Sequence, residues 1–184
     1  MPGFLSSAAL HRQSAAADAV PDGAAACPTS AWTLQGLTRA ESGTLNPPLV
    51  TYTETIGAGN HWTYNNGGTA LGPNVRTRFY LRAGTRRYVV IVPTVSTRWV
   101  AVTVDTVGWT LTHQATSSAT INSATLSDLG NGDRLVDINS SHGLTEFNRS
   151  SFHGSLASNT SNQILSYTGD GSTIIIRRLD VEAV

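Results

Sequence analysis

The sequence predicts an all-β fold, an antiparallel jelly-roll β-sandwich preceded by an extended or short-helical N-terminal arm. Three observations carry this expectation. Val75 to Arg82 alternates strictly, with Val75, Thr77, Phe79 and Leu81 on one side and Arg76, Arg78, Tyr80 and Arg82 on the other. That two-residue period belongs to a strand with one buried face. Ser and Thr supply 43 of the 184 residues, and no stretch rich in helix formers follows residue 31. Short apolar runs alternate with turn signals at intervals of about 8–12 residues, the rhythm of a sandwich or barrel.

Residues 1–31 read as a separate arm. Ten of them are Ala. Leu5 to Val20 has the pattern of a short amphipathic helix, with Ser6 or Ser7 as its cap and Pro21-Asp22-Gly23 as its stop. Its apolar stripe is thin, so the helix is marginal alone. Phe4, Leu5, Leu10 and Val20 are its candidate anchors against a partner surface.

Residues 32–184 read as the sandwich. Trp32 to Leu37 is a first strand, with Trp32 expected beneath the sandwich. Leu49 to Ile56 is a second, entered through Asn46-Pro47-Pro48, and Gly57-Ala-Gly-Asn60 turns the chain into His61-Trp-Thr-Tyr64. Val75 to Thr112 reads as a four-stranded meander: Val75–Arg82, the doubly apolar Arg87–Val92, Thr97–Val104 and Trp109–Thr112. Val90, Ile91 and Val92 are expected in the core. Ala119–Leu126 and Arg134–Ile138 flank Gly130-Asn-Gly-Asp133, a hairpin signal with Gly132 expected at positive φ. Residues 139–161 are Ser- and Asn-rich and read as a long loop with weak strand content. Gln163–Tyr167 and Thr173–Glu182 close the domain.

Composition bounds the chemistry. Formal net charge is zero, which gives no electrostatic argument for nucleic acid. No apolar run is long enough to span a membrane. No secretion signal is apparent; Phe4 to Leu10 is short, lacks a basic flank and runs into His11-Arg12-Gln13. All twelve basic residues are Arg. The single Cys27 excludes an internal disulfide. His11, His61, His113, His142 and His153 show no metal spacing and read as surface or turn residues. No Gly-x-Ser-x-Gly elbow occurs. Asp105, Asp128, Asp133, Asp137 and Asp170 fall in or near turns, where Asp stabilises local backbone. The expectation is therefore no catalytic residue, no metal and no cofactor.

Aromatic residues are the better candidates for binding. Trp99 lies opposite Val100, Val102 and Val104 in its strand, beside Arg98 in sequence. Trp62 and Tyr64 share a face. Trp99, Arg98, Trp62 and Tyr64 are thus the candidate glycan-contacting residues, since sugar sites combine aromatic faces with polar donors; the competing reading is that the Trp rings pack as core. Trp109 aligns with Leu111 and reads as core.

Five motifs occur in order after Trp32: Arg82-Ala-Gly-Thr-Arg-Arg87, Asp105-Thr-Val-Gly108, Leu129-Gly-Asn-Gly-Asp-Arg134, Tyr167-Thr-Gly-Asp-Gly171 and Leu179-Asp-Val-Glu182. In this order they resemble a jelly-roll module of tailed-bacteriophage virion proteins, itself similar to carbohydrate-binding modules. The resemblance spans residues 32–184. It departs at Asp133-Arg134, where the family often has an aromatic pair, and at Ile174-Ile-Ile176, where it often has an aromatic. The resemblance implies a non-enzymatic virion surface protein, made in the host cytoplasm. Its implied partners are other virion proteins, further copies of itself and cell-surface polysaccharide. One domain with a short arm and no stalk suits a capsid decoration or head-fibre protein. A tail-fibre or receptor-binding protein and a free bacterial glycan-binding module stand as alternatives.

Overall fold

A computed structural model describes residues 32–42, 49–160 and 166–184. The arm, with Phe4, Leu5, Leu10 and Val20, lies outside the described residues. So do Asn46-Pro47-Pro48, residues 161–165 and the Trp32 side chain. Every regular element described is a strand.

Two six-stranded sheets pack face to face. The first runs, in spatial order, β1 (Trp32–Gln35), β5 (Trp62–Leu71), β12 (Glu146–Ser155), β7 (Tyr88–Val95), β8 (Arg98–Asp105) and β9 (Thr110–Ser117). The second runs β10 (Thr120–Asp128), β11 (Asp133–Ser141), β6 (Asn74–Arg82), β14 (Thr173–Ala183), β3 (Leu49–Glu54) and β2 (Leu37–Ser42). All pairings are antiparallel. A two-stranded ribbon, β4 (Gly57–Asn60) with β13 (Ser166–Gly169), sits at one end. The chain crosses repeatedly between sheets, so sequence-distant strands become neighbours, as in a jelly roll.

The alternation in β6 has the expected outcome. Val75, Thr77, Phe79 and Leu81 are buried between the sheets. The arginines face outward into a lattice with acidic residues of the flanking strands. Arg76 binds Asp137 in a fork, at 3.0 and 2.6 Å. Arg78 meets Glu182 at 3.2 Å. Arg82 and Arg177 hold the two oxygens of Asp133 at 2.9 and 2.8 Å. These partly exposed pairs contribute roughly 0–1 kcal/mol each. Their fork geometry suits Arg rather than Lys.

Three local expectations need correction. The four-stranded meander is not formed, because β6 belongs to the second sheet while β7, β8 and β9 form a meander in the first. Ala83 to Arg87 bridges the sheets. Arg86 N donates to Thr173 O at 3.0 Å, and Thr106 N donates to Arg87 O at 2.8 Å. The single strand expected from Trp32 to Leu37 is divided at Gly36, whose φ is 62°. A Cβ there would lie 2.1 Å from Asn60 O, so the corner between β1 and β2 requires glycine. The long loop expected over 139–161 contains the whole of β12, which lies inside the first sheet between β5 and β7. Gly132 has φ 86°, as expected of this hairpin, and Gly130 and Asn131 also have positive φ.

The interior is continuous across both sheets. Val89, Ile91, Val100, Val102, Val104 and Phe152 from the first meet Val50, Tyr52, Phe79, Leu81, Val136, Ile138, Ile174 and Ile176 from the second. Val90 and Val92 are buried as expected, but with Ala101 in a separate cluster on the outer side of the first sheet. Trp109 is only partly buried, against the edge of the main core, with Arg134 over its ring at 5.0 Å.

Candidate functional site

The outer side of the first sheet gathers three of the four proposed binding residues. Register places Trp62, His153, Val90, Thr103 and His113 in one row across β5, β12, β7, β8 and β9. Tyr64, Ser151 and Val92 form the adjacent row. Positions two apart on a strand share a face, so Trp62 and Tyr64 stack, with ring centroids 4.4 Å apart. Trp62 Nε1 donates to Gln35 Oε1 at 2.6 Å, and the residue is only 8% exposed. Trp99 is half-buried against Val90, Val92 and Ala101. Tyr64 and Trp99 lie three strand spacings apart across the sheet, roughly 14 Å, and two residues apart along it.

Arg98 does not join them. It projects on the opposite side of β8 from Trp99. Its Nη1 donates to His142 O at 2.8 Å, and its own carbonyl accepts from His142 Nδ1 at 3.1 Å. The histidines also depart from expectation. His61, His142 and His153 are buried rather than at the surface. With Nδ1 donating to a carbonyl, the neutral ring leaves Nε2 to accept from Ser140 Oγ at 3.0 Å.

Burial pushes His142 below the ordinary imidazole range, against the Arg98 carbonyl, which raises it. An unfolded His takes up a proton near pH 6.5, and the folded one resists it. Stability from this site is thus complete above about pH 6.5 and declines as pH falls through that value toward the lower folded pKa. Urea midpoints measured from pH 8 to pH 5 are expected to fall less in His142→Gln than in the wild type. Parallel profiles would show that His142 is not held neutral.

A second constellation closes one end of the sandwich. Glu54, at the end of β3, is 2% exposed, and Arg86 is 6% exposed. Arg86 Nε donates to Glu54 Oε1 at 2.8 Å while its Nη2 donates to Glu54 Oε2 and, at 2.8 Å, to Asp170 Oδ1. The Tyr167 hydroxyl donates to Glu54 Oε1 at 2.5 Å. Burial, then the neighbouring Glu54, push the Tyr167 phenol far upward, so it remains a neutral donor. Arg86 lies over the Tyr167 ring at 5.4 Å, and His61 packs against that ring at 4.8 Å. Gly154 makes this possible, since a Cβ there would lie 2.5 Å from both Glu54 Oε1 and the Tyr167 hydroxyl.

Chemically, the constellation is a clasp. Its base is neutralised by arginine and its phenol is held protonated. The same use of carboxylates extends over the molecule. Glu41, Glu54, Asp105, Asp128, Asp133, Asp137, Asp170, Asp180 and Glu182 each lie within ion-pair distance of an arginine. Among the described residues, no three His, Cys, Asp or Glu side chains gather to hold a metal.

Sequence reasoning missed Glu54, Arg86 and Tyr167 as a unit. Their only signal lay in two of the ordered motifs, Arg82 to Arg87 and Tyr167 to Gly171. No family model matches this chain, and no curated protein matches it.

Proposed function

We propose that this chain is a non-enzymatic surface protein of a tailed-bacteriophage particle, of the capsid-decoration or head-fibre type. Its sandwich faces outward, and its N-terminal segment joins it to other virion proteins. The observation that supports the non-enzymatic part is that each of those described carboxylates is paired with an arginine, which suits a structural role better than general acid–base work. The aromatic side of the first sheet supplies a contact surface instead, with Trp99 the candidate for cell-surface polysaccharide. The phage assignment rests on the five ordered motifs. Four of them fall at turns or strand junctions that strand direction brings to one end of the sandwich.

The test is co-sedimentation of the full chain with particles of its phage assembled without it. The wild type is expected to join them, and a Phe4→Asp, Leu10→Asp double variant to remain in the supernatant at unchanged thermal stability. Trp99→Ala is expected to join particles normally and to lose retention on host polysaccharide. Wild-type protein that stays in the supernatant would sink the virion reading.

A further inference from the structure

The strands that border the two sheets are not alike. An edge strand exposes a row of unpaired backbone N–H and C=O groups, and another strand can pair with them unless something blocks it. β1 is only four residues long. β2 carries Arg39 and Glu41, which lie opposite the inward-facing Tyr52 and Val50 and so turn two charges toward the interior side. β9 is bulged, with Thr112 left out of register against β8, and Thr112 Oγ1 donates to Ser158 O at 2.7 Å. β10 has none of these protections along most of its length. Thr120 to Ser127 contains no charge and no Pro. Its bulge, at Asn122, leaves Ser123 to Asp128 in unbroken register with β11. Among the described residues, no strand pairs with its outer edge. The interior is also unfinished there. Ala124 and Leu126 lie opposite Ile138 and Val136 and point between the sheets, yet they are only partly buried, whereas Ile138 and Val136 are 0% exposed.

We propose that β10 is an interaction edge and that its partner is β10 of a second copy of this chain. The two strands pair antiparallel about a two-fold axis at Thr125, joining the two second sheets into one. The sequence of β10 is what selects a second copy. Directly opposed residues of antiparallel strands share a face, so self-pairing must centre on one residue. Centred on Thr125, Ala124 falls opposite Leu126 of the second copy on the inner side, and Ser123 falls opposite Ser127 on the outer side. The apolar interior then continues from one copy into the next. Centred on Leu126, Ala124 would instead meet the charge of Asp128; centred on Ala124, Leu126 would meet the amide of Asn122. Charge permits the pairing as well, since two chains of zero net charge do not repel. A one-strand contact is narrow beside the interface of a permanent dimer, so the pair separates on dilution. This inference concerns the free chain, so it and the virion reading fail separately.

Sedimentation velocity of the full chain is expected to show a monomer at about 1 μM and a growing dimer toward about 1 mM. Thr125→Lys sets two ammonium groups opposite one another at the axis. It is expected to stay monomeric throughout, with the wild-type melting temperature when dilute. Thr38→Lys, at an exposed position of β2 on the other edge of the same sheet, is expected to dimerise like the wild type. Hydrogen exchange of the wild type locates the contact without any substitution. Amides of Ser123 to Ser127 are expected to exchange more slowly as concentration rises, and those of Leu37 to Ser42 to stay unchanged. A wild type still monomeric at about 1 mM, a dimer that survives Thr125→Lys, or slowing confined to another edge would each overturn the proposal.

Discussion

Arg86→Ala is expected to destabilise the protein by about 3–5 kcal/mol, the usual result of removing one member of a buried ion pair. The loss is large because of what remains. Glu54 is left at 2% exposure without an arginine, with only the Tyr167 hydroxyl still donating to it. Asp170 also loses its arginine partner. A chain of this size is expected to melt roughly 10 °C lower, at about 2–4 °C per kcal/mol. Arg76→Ala provides the comparison, since Arg76 makes the same kind of fork, to Asp137, at a more exposed position. Its expected cost is about 1 kcal/mol or less. If burial rather than geometry sets the cost, Arg86→Met with Glu54→Leu should recover much of the lost stability. Equal urea midpoints for Arg86→Ala and Arg76→Ala would show that the clasp is solvated and carries no special weight.

The clasp also shows where reading the sequence stops. β6 was legible because its two sides meet different environments, a closed interior and a charged exterior, and alternation is the direct record of that difference. Val89 to Val92 was legible as doubly buried because it is apolar on both sides, although not which side held which residue. Glu54 and Tyr167 are 113 positions apart, and only the crossing of the chain between sheets brings them together. No local pattern can express that. Arg98 shows the converse error. Adjacency to Trp99 suggested one site, but adjacent residues on a strand point in opposite directions. The outer side of the first sheet was half legible: Trp62, Tyr64 and Trp99 were each assigned to a side of their own strand. Their common surface depends on β12, whose polar sequence Glu-Phe-Asn-Arg-Ser-Ser-Phe-His-Gly-Ser reads as loop.

Phe152 explains why that polar segment is nevertheless a central strand, and Phe152→Ala is expected to cost about 3–5 kcal/mol. The ring is fully buried. It meets Tyr52 of β3 edge-on at 5.0 Å and Phe79 of β6 at 5.1 Å, so one side chain ties β12 to two strands of the opposite sheet. Each aromatic pair contributes about 0.5–1.5 kcal/mol beyond the area it buries. Truncation removes both pairs and leaves a cavity bounded by rings that cannot collapse into it without moving the sheets. The neighbouring inward position, Ser150, offers no apolar substitute. Ser151→Ala, on the other side of the same strand, is expected to change stability by less than about 0.5 kcal/mol, since its hydroxyl makes a long contact of 3.4 Å to Val92 O. Urea denaturation of both variants checks the pair. If Phe152→Ala unfolds at the wild-type midpoint, the ring does not sit between the sheets, and β12 must be held by backbone pairing with β5 and β7 alone.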